Sequence, residues 1–157
     1  MTTVFSGALV GIYVTPSAGM PMEARKSVRA EAARGLVGDR YAEGTGMYSH
    51  DTRLPRDVTL IEREAVDAVR AGGIEIAEAE TRRNLVTTGV PLNHLVGHTF
   101  RVGAVVFRGI KLAEPCAYLE QLLHRPGVRE AFVHRGGLRC EVVEGGELRI
   151  GDAITPR

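Results

Sequence analysis

Apolar residues recur along the chain in short runs, many alternating with polar ones, and glycine or proline separates one run from the next. The first run, Gly7–Thr15, reads as a strand closed by Pro16. Met20–Arg34 is polar and irregular, with Ser27–Ala30 as a short strand. Gly35-Leu-Val-Gly-Asp-Arg40 reads as a glycine-bounded loop, and residues 42–56, holding Gly44, Gly46, His50, Asp51 and Pro55, as a surface excursion. Asp57–Ile61 is a β-type run. Thr59-x-x-Glu62 fits a capping box and predicts a helix to about Arg70, with Ile61, Ala65, Val66 and Val69 on one side and Gly72-Gly73 as the stop.

Beyond that point the pattern turns to β. Leu85–Thr88, Thr99–Val102, Val105–Leu112, Leu138–Val143 and Glu147–Ile150 read as short strands, the last two joined as a hairpin by Gly145-Gly146. Cys116–His124 carries Leu119, Leu122 and Leu123 at helical spacing, and Pro126-Gly127 ends it. No parallel βαβ rhythm is visible. The predicted fold class is therefore mainly β (α+β), a partly closed β-barrel with two or three short helices. At 157 residues the chain suits one domain, 1–157.

Composition narrows the chemistry. A net charge of +1 gives no general pull toward nucleic acid or a membrane, and neither is expected as a partner. The apolar run Ala8–Val14 has no Lys or Arg before it and is too short to span a bilayer. A cytoplasmic location follows as the default, where both cysteines would stay reduced. The basic residues are almost all Arg; only Lys26 and Lys111 are Lys. A Schiff base to pyridoxal phosphate needs a Lys, and neither of these has a neighbour that would lower its pKa, so pyridoxal phosphate is not expected here.

Cys116, in Glu114-Pro115-Cys116, follows a strand and opens a helix, with Pro115 suited to the first helical position. Unpaired N–H groups of a first turn favour a thiolate there, and a buried core cysteine is the competing reading. Cys140 shares a strand face with Leu138 and Val142 and reads as core. Of the pair Arg82-Arg83, one can line a pocket; Arg83, with Asn84 as combined donor and acceptor and Arg40 at the end of the glycine loop, are candidates to hold an anion. A solvated basic pair and a plain turn compete with these readings. His134, before Arg135-Gly-Gly137, is a candidate proton donor or a surface turn histidine. His94 and His98 have metal-ligand spacing only on a helix, which Gly97 breaks, and two thiols are too few for a zinc or iron–sulfur site.

Taken in order, these pieces resemble the MOSC family, named for the C-terminal domain of molybdenum cofactor sulfurases, and its small stand-alone bacterial members in particular. The pieces are Gly35-x-x-Gly-Asp-Arg40, Asp57-Val-Thr-Leu-Ile61, Arg82-Arg-Asn-Leu85 and Leu92-x-x-Leu95-x-Gly97-x-x-Phe100-x-x-Gly103. Glu114-Pro-Cys116-x-x-Leu119-Glu120 follows, then Arg135-Gly-Gly137 leading to Gly151-Asp152. The resemblance implies a β-rich, barrel-like fold and makes Cys116 the family's marker cysteine, a sulfur carrier or a molybdenum ligand. It implies no pyridoxal phosphate, which belongs to a fused desulfurase domain; a cysteine desulfurase could instead be the sulfur donor.

Three functions compete on this reading. The first is sulfur transfer or C–S cleavage on a small anionic substrate, with Cys116 as nucleophile and persulfide carrier. The second is a molybdenum cofactor (molybdopterin) carrier with Cys116 on the metal. The third is a Cys-His hydrolase built from Cys116, His134 and Asn84.

Overall fold

The computed structural model describes residues 4–157. Its strands are β1 (Gly7–Val14), β2 (Glu23–Ala24), β3 (Ser27–Glu31), β4 (Gly35–Leu36), β5 (Val58–Glu62), β6 (Leu85–Thr88), β7 (Thr99–Val102), β8 (Val105–Leu112), β9 (Leu138–Glu144), β10 (Gly146–Arg149) and β11 (Ala153–Pro156). Four short helices interrupt them: α1 (Arg40–Glu43), α2 (Arg63–Ala71), α3 (Ala117–Leu123) and α4 (Val128–Ala131).

Seven strands run in the order β11-β7-β8-β9-β5-β6-β1, and β11 pairs back onto β1 to close the barrel. Closure leaves none of the seven as a free edge along its paired length. A small second sheet, β10-β3-β4, is not hydrogen-bonded into that ring but packs Val28, Ala30, Leu36 and Leu148 onto its core. The mainly β barrel expected from the sequence is present, and it is closed rather than partly closed. The closing strand is β11, whose four residues carry one buried side chain, Ile154.

The interior is filled by inward positions of successive strands, among them Leu9, Leu60, Phe100, Phe107, Leu138 and Ile154. A second apolar cluster sits outside the wall. There Ile61 and Val86, the outward neighbours of Leu60 and Leu85, pack against Val66 and Val69 of α2, Leu119 of α3, and Val128 and Phe132. Strands buried on both faces read as continuous apolar runs, which is why Leu60-Ile61 and Leu85-Val86 do not alternate. This outer cluster fixes the start of α3, and with it Cys116, against the barrel.

Five local expectations are corrected. β5 pairs parallel to β6 across α2, so one βαβ unit exists. A single crossover between strands of five and four residues sets up no rhythm along the chain. The Thr59–Glu62 capping box does not form: β5 continues through Glu62, which caps α2 without a side-chain bond. Gly145-Gly146 makes no β9–β10 hairpin; β9 pairs with β5 and β8, while β10 leaves to pair with β3. Finally, Cys116 is itself the N-cap of α3, which puts Pro115 one residue outside the helix. The helix also ends early, at Leu123, with His124 in the left-handed conformation.

Candidate active site

A cleft of about 280 Å³ opens beside the barrel. Most of its wall comes from three stretches remote in sequence, the 47–56 excursion, the Thr81–Arg83 corner before β6, and Ala113–Leu119 leading into α3; the start of α1 and Arg139 of β9 add to it. The last is positioned from both ends. Ala113 N–H donates to the Gly137 carbonyl at 2.8 Å, and Leu119 is buried in the outer apolar cluster. Cys116 lies between these anchors, half-buried, with its sulfur on the cleft.

The Tyr48 hydroxyl donates a hydrogen bond to Cys116 Sγ at 3.0 Å. Burial alone would push the thiol pKa up. The Tyr48 bond, the N–H groups of Leu119 and Tyr118, and the Arg83 charge outweigh it, and the thiol is held below its ordinary value. The N–H groups act without closing a formal cap on the sulfur. The same bond, with burial, pushes the Tyr48 phenol up to about 12, so at neutral pH Tyr48 keeps its proton and donates.

Five arginines line the cleft, Arg40, Arg56, Arg82, Arg83 and Arg139, against two carboxylates, Asp51 and Glu114. Their free donors differ. Arg40 is committed to Asp39 (3.1 Å), to the Arg82 carbonyl (3.0 Å) and to the Met22 sulfur. Arg83 spends Nε on the Gly136 carbonyl (2.7 Å) and Nη2 on that of Ala113 (2.8 Å). Burial lowers its pKa to about 10, so it remains a cation at neutral pH. Arg82, 7% exposed, donates Nη1 to the Met20 carbonyl at 2.7 Å, but its buried Nη2 has no partner. Its backbone is left-handed, φ 63°, a conformation a non-glycine residue holds only when its surroundings impose it. Arg139 extends from the outward face of β9 and makes no hydrogen bond or ion pair among the described residues. The site is thus an acidified thiol beside a cluster of cations, of which Arg82 keeps one unused donor and Arg139 has no partner among the described residues.

The MOSC domain profile matches residues 47–155. This chain belongs to the MOSC domain family. It is similar in structure to the YuaD protein from Bacillus subtilis, with a TM-score of 0.79 and 17% identity, covering 99% of this chain and 97% of that one. It is also similar to YiiM from Geobacillus stearothermophilus (TM-score 0.69, 12% identity, 96% of this chain and 75% of that one) and to YiiM from Escherichia coli (0.63, 16%, 99% and 70%). At such identities the likeness is one of fold. No curated protein matches at a significant level.

In this MOSC family member, Cys116, Arg40 and Arg83 converge on the cleft, while Asn84 and His134 do not line it. Asn84 is fully buried and its amide is spent on the backbone: Nδ2 donates to the Tyr13 carbonyl (3.0 Å), and Oδ1 accepts from Thr59 N (3.1 Å) and Thr59 Oγ1 (3.3 Å). It ties β1 to β5. The His134 side chain is 79% exposed on a left-handed turn, with Nδ1 3.2 Å from Glu114. A Cys116–His134–Asn84 hydrolase constellation is therefore not assembled. Sequence reasoning missed Tyr48, Arg56 and Arg139 as lining residues, and allowed the cleft one of Arg82 and Arg83 where both line it. Only Arg139 carried a usable signal, since Leu138 and Cys140 face the core and push it to the other side of the strand. No three His, Cys, Asp or Glu side chains come together as a metal site, and no helix is long and apolar enough to cross a membrane, among the described residues.

Proposed function

We propose that this MOSC domain is a sulfur-transfer enzyme in which Cys116 attacks a small, anionic, sulfur-bearing substrate and carries the sulfur as a persulfide. The observation that supports it is the Cys116 sulfur, held by the Tyr48 hydroxyl at 3.0 Å in an arginine-rich cleft. The thiolate attacks the outer sulfur of a hydropersulfide donor, such as one formed by a cysteine desulfurase. A bond forms between Sγ and that sulfur. The donor's S–S bond breaks, its electron pair leaves on the donor thiolate, and that thiolate takes the proton the outer sulfur carried. The acceptor then attacks the outer sulfur, and the pair returns to Sγ, where Tyr48 again holds the anion. Sulfur moves without change of oxidation level, so no external redox partner is needed. Arg82 Nη2 and Arg139 are the donors free to hold a carboxylate or phosphate of the substrate. Tyr48 holds the anion by a hydrogen bond and transfers no proton, so the proton-donor role considered for His134 is not needed.

Incubation with a sulfane sulfur donor should add the mass of one sulfur atom, removable by reductant and absent in Cys116→Ser. The proposal falls if the serine variant gains the same mass or the wild type gains none.

The unpartnered Nη2 of Arg82 also favours a second reading, a molybdenum cofactor carrier. The residues fit such a group: Cys116 offers a soft thiolate to the metal, and Arg82 and Arg139 offer donors to a pterin phosphate. When bound, the cofactor would supply two-electron redox chemistry at molybdenum. Protein from a molybdate-replete host should then carry molybdenum that both Cys116→Ser and Arg82→Met lose. Metal-free wild type from such a host would count against this second reading.

A further inference from the structure

The 46–56 segment lies over the cleft with almost nothing fastening it down. Not one residue from Glu43 to Arg56 is buried. Its polar contacts close on themselves. Gly46 N–H donates to Ser49 Oγ (2.8 Å) and Asp51 N–H to the Tyr48 carbonyl (3.0 Å), while Arg53 and Arg56 both pair with Asp51. Among the described residues, one hydrogen bond leaves the segment for the rest of the protein, and it runs from Tyr48 to Cys116 Sγ. Cavities flank the segment on two sides. Tyr48 and Met47 face the cleft of Cys116, and Ser49, Thr52 and Leu54 face a second cavity of about 350 Å³. Asp51 and Arg56 line both, so their ion pair stands in the partition. Firm attachment resumes outside: at Thr45, whose Oγ1 donates to the Pro16 carbonyl at 2.7 Å, and at Asp57, whose carboxylate accepts from Val142 N–H.

We propose that residues 46–56 form a strap latched by the reactive sulfur itself, so that forming a covalent bond at Cys116 Sγ releases the strap and joins the two cavities. This rests on the reading of Cys116 as the reacting group. The physical basis is the acceptor. A thiolate takes a strong charge-assisted hydrogen bond, whereas Sγ bonded to carbon or to a second sulfur is neutral and a weak acceptor, and the charge of a persulfide sits on its outer sulfur, about 2 Å from the atom Tyr48 holds. Once the bond to Tyr48 is lost, no hydrogen bond ties the strap to the rest of the protein among the described residues; Gly46 lies close against the Tyr41 ring, and the Arg56 guanidinium 5.3 Å over the Tyr48 ring belongs to the strap itself. The first half of a transfer reaction would thereby open the cleft to an acceptor larger than the closed cavity holds, and regeneration of the thiolate would close it.

Trypsin cleavage after Arg53, whose side chain is 87% exposed, reads the strap directly, and hydrogen exchange of residues 46–56 reads it independently. Iodoacetamide is the probe: the sulfur's electron pair displaces iodide and leaves a neutral thioether. Carbamidomethylated wild type and untreated Tyr48→Phe should each be cut after Arg53 at least about tenfold faster than untreated wild type, the size expected for loss of a hydrogen bond to a charged group. Carbamidomethylation of Tyr48→Phe should add nothing further. Equal cleavage in treated and untreated wild type overturns the latch, as does an acceleration that is the same in Tyr48→Phe, which would mean the added group merely pushes the strap. Exchange of the β8 amides, Val105–Leu112, reports whether the variant is folded, and the wild-type arm needs no variant. Because alkylation requires no sulfur donor, the latch can stand where persulfide loading fails, and loading without strap opening refutes the latch alone.

Discussion

Iodoacetamide near neutral pH should modify Cys116 and leave Cys140 intact, the first reacting at least roughly a hundredfold faster. Two differences multiply. Cys116 borders the cleft and its thiol is held below the ordinary value, so its nucleophilic form is well populated. Cys140 sits on β9 with no exposed surface, and burial, aided by the Asp57 charge, pushes its thiol well above the ordinary value. It can react only when the barrel opens, a state populated on the order of 10⁻³ or less in a stable domain. The pH dependence carries a sign. The Cys116 rate should rise through a midpoint below that of a free cysteine, because the folded state favours the thiolate. Tyr48→Phe removes a donor from that thiolate and should move the midpoint up. Peptide mapping after timed quenching measures both. Preferential labelling of Cys140, or a midpoint that Tyr48→Phe lowers, would overturn the account of the site.

Much of the barrel is legible in the sequence because its strands are separated by residues that end strands. Leu85–Thr88, Thr99–Val102 and Val105–Leu112 are read to the residue. What escapes is pairing. Nothing within Glu147–Ile150 says that it will leave the barrel for β3, and β11 is too short to declare a period. The same limit governs the site. Cys116 is visible because its context is local: a strand end, a proline and a helix start. Asn84 is misread because the donor and acceptor of an amide suit a ligand and a buried backbone junction equally well, and only the position of Tyr13 and Thr59 decides. Tyr48 could not be found at all. Its meeting with a sulfur 68 residues away is made by the route of a loop that buries nothing.

Gly137→Ala should be the most damaging small substitution near the site, costing at least about 4 kcal/mol and leaving the protein unfolded or melting more than about 10 °C lower. Two causes add. The backbone at Gly137 is left-handed, φ 111°, where an L side chain is strained by about 1–2 kcal/mol. The second is contact: a Cβ there would lie far inside van der Waals distance of the Leu60 carbonyl oxygen and press on its carbonyl carbon. Leu60 cannot retreat. It is fully buried, pairs with Leu138 across the β5–β9 junction, and pairs with Leu85 on its other side. The damage would reach the cleft through two carbonyls, that of Gly137, which receives Ala113 N–H, and that of Gly136, which receives Arg83 Nε. Gly151→Ala separates the causes. Its φ is 96°, but nothing lies within 4 Å of where its Cβ would be, so the backbone term stands alone and the loss should stay near 1–2 kcal/mol. Thermal and denaturant unfolding of the two variants side by side measures the difference. Equal losses would mean that Gly137 is required for its dihedral angles and not for the close approach of β9 to β5.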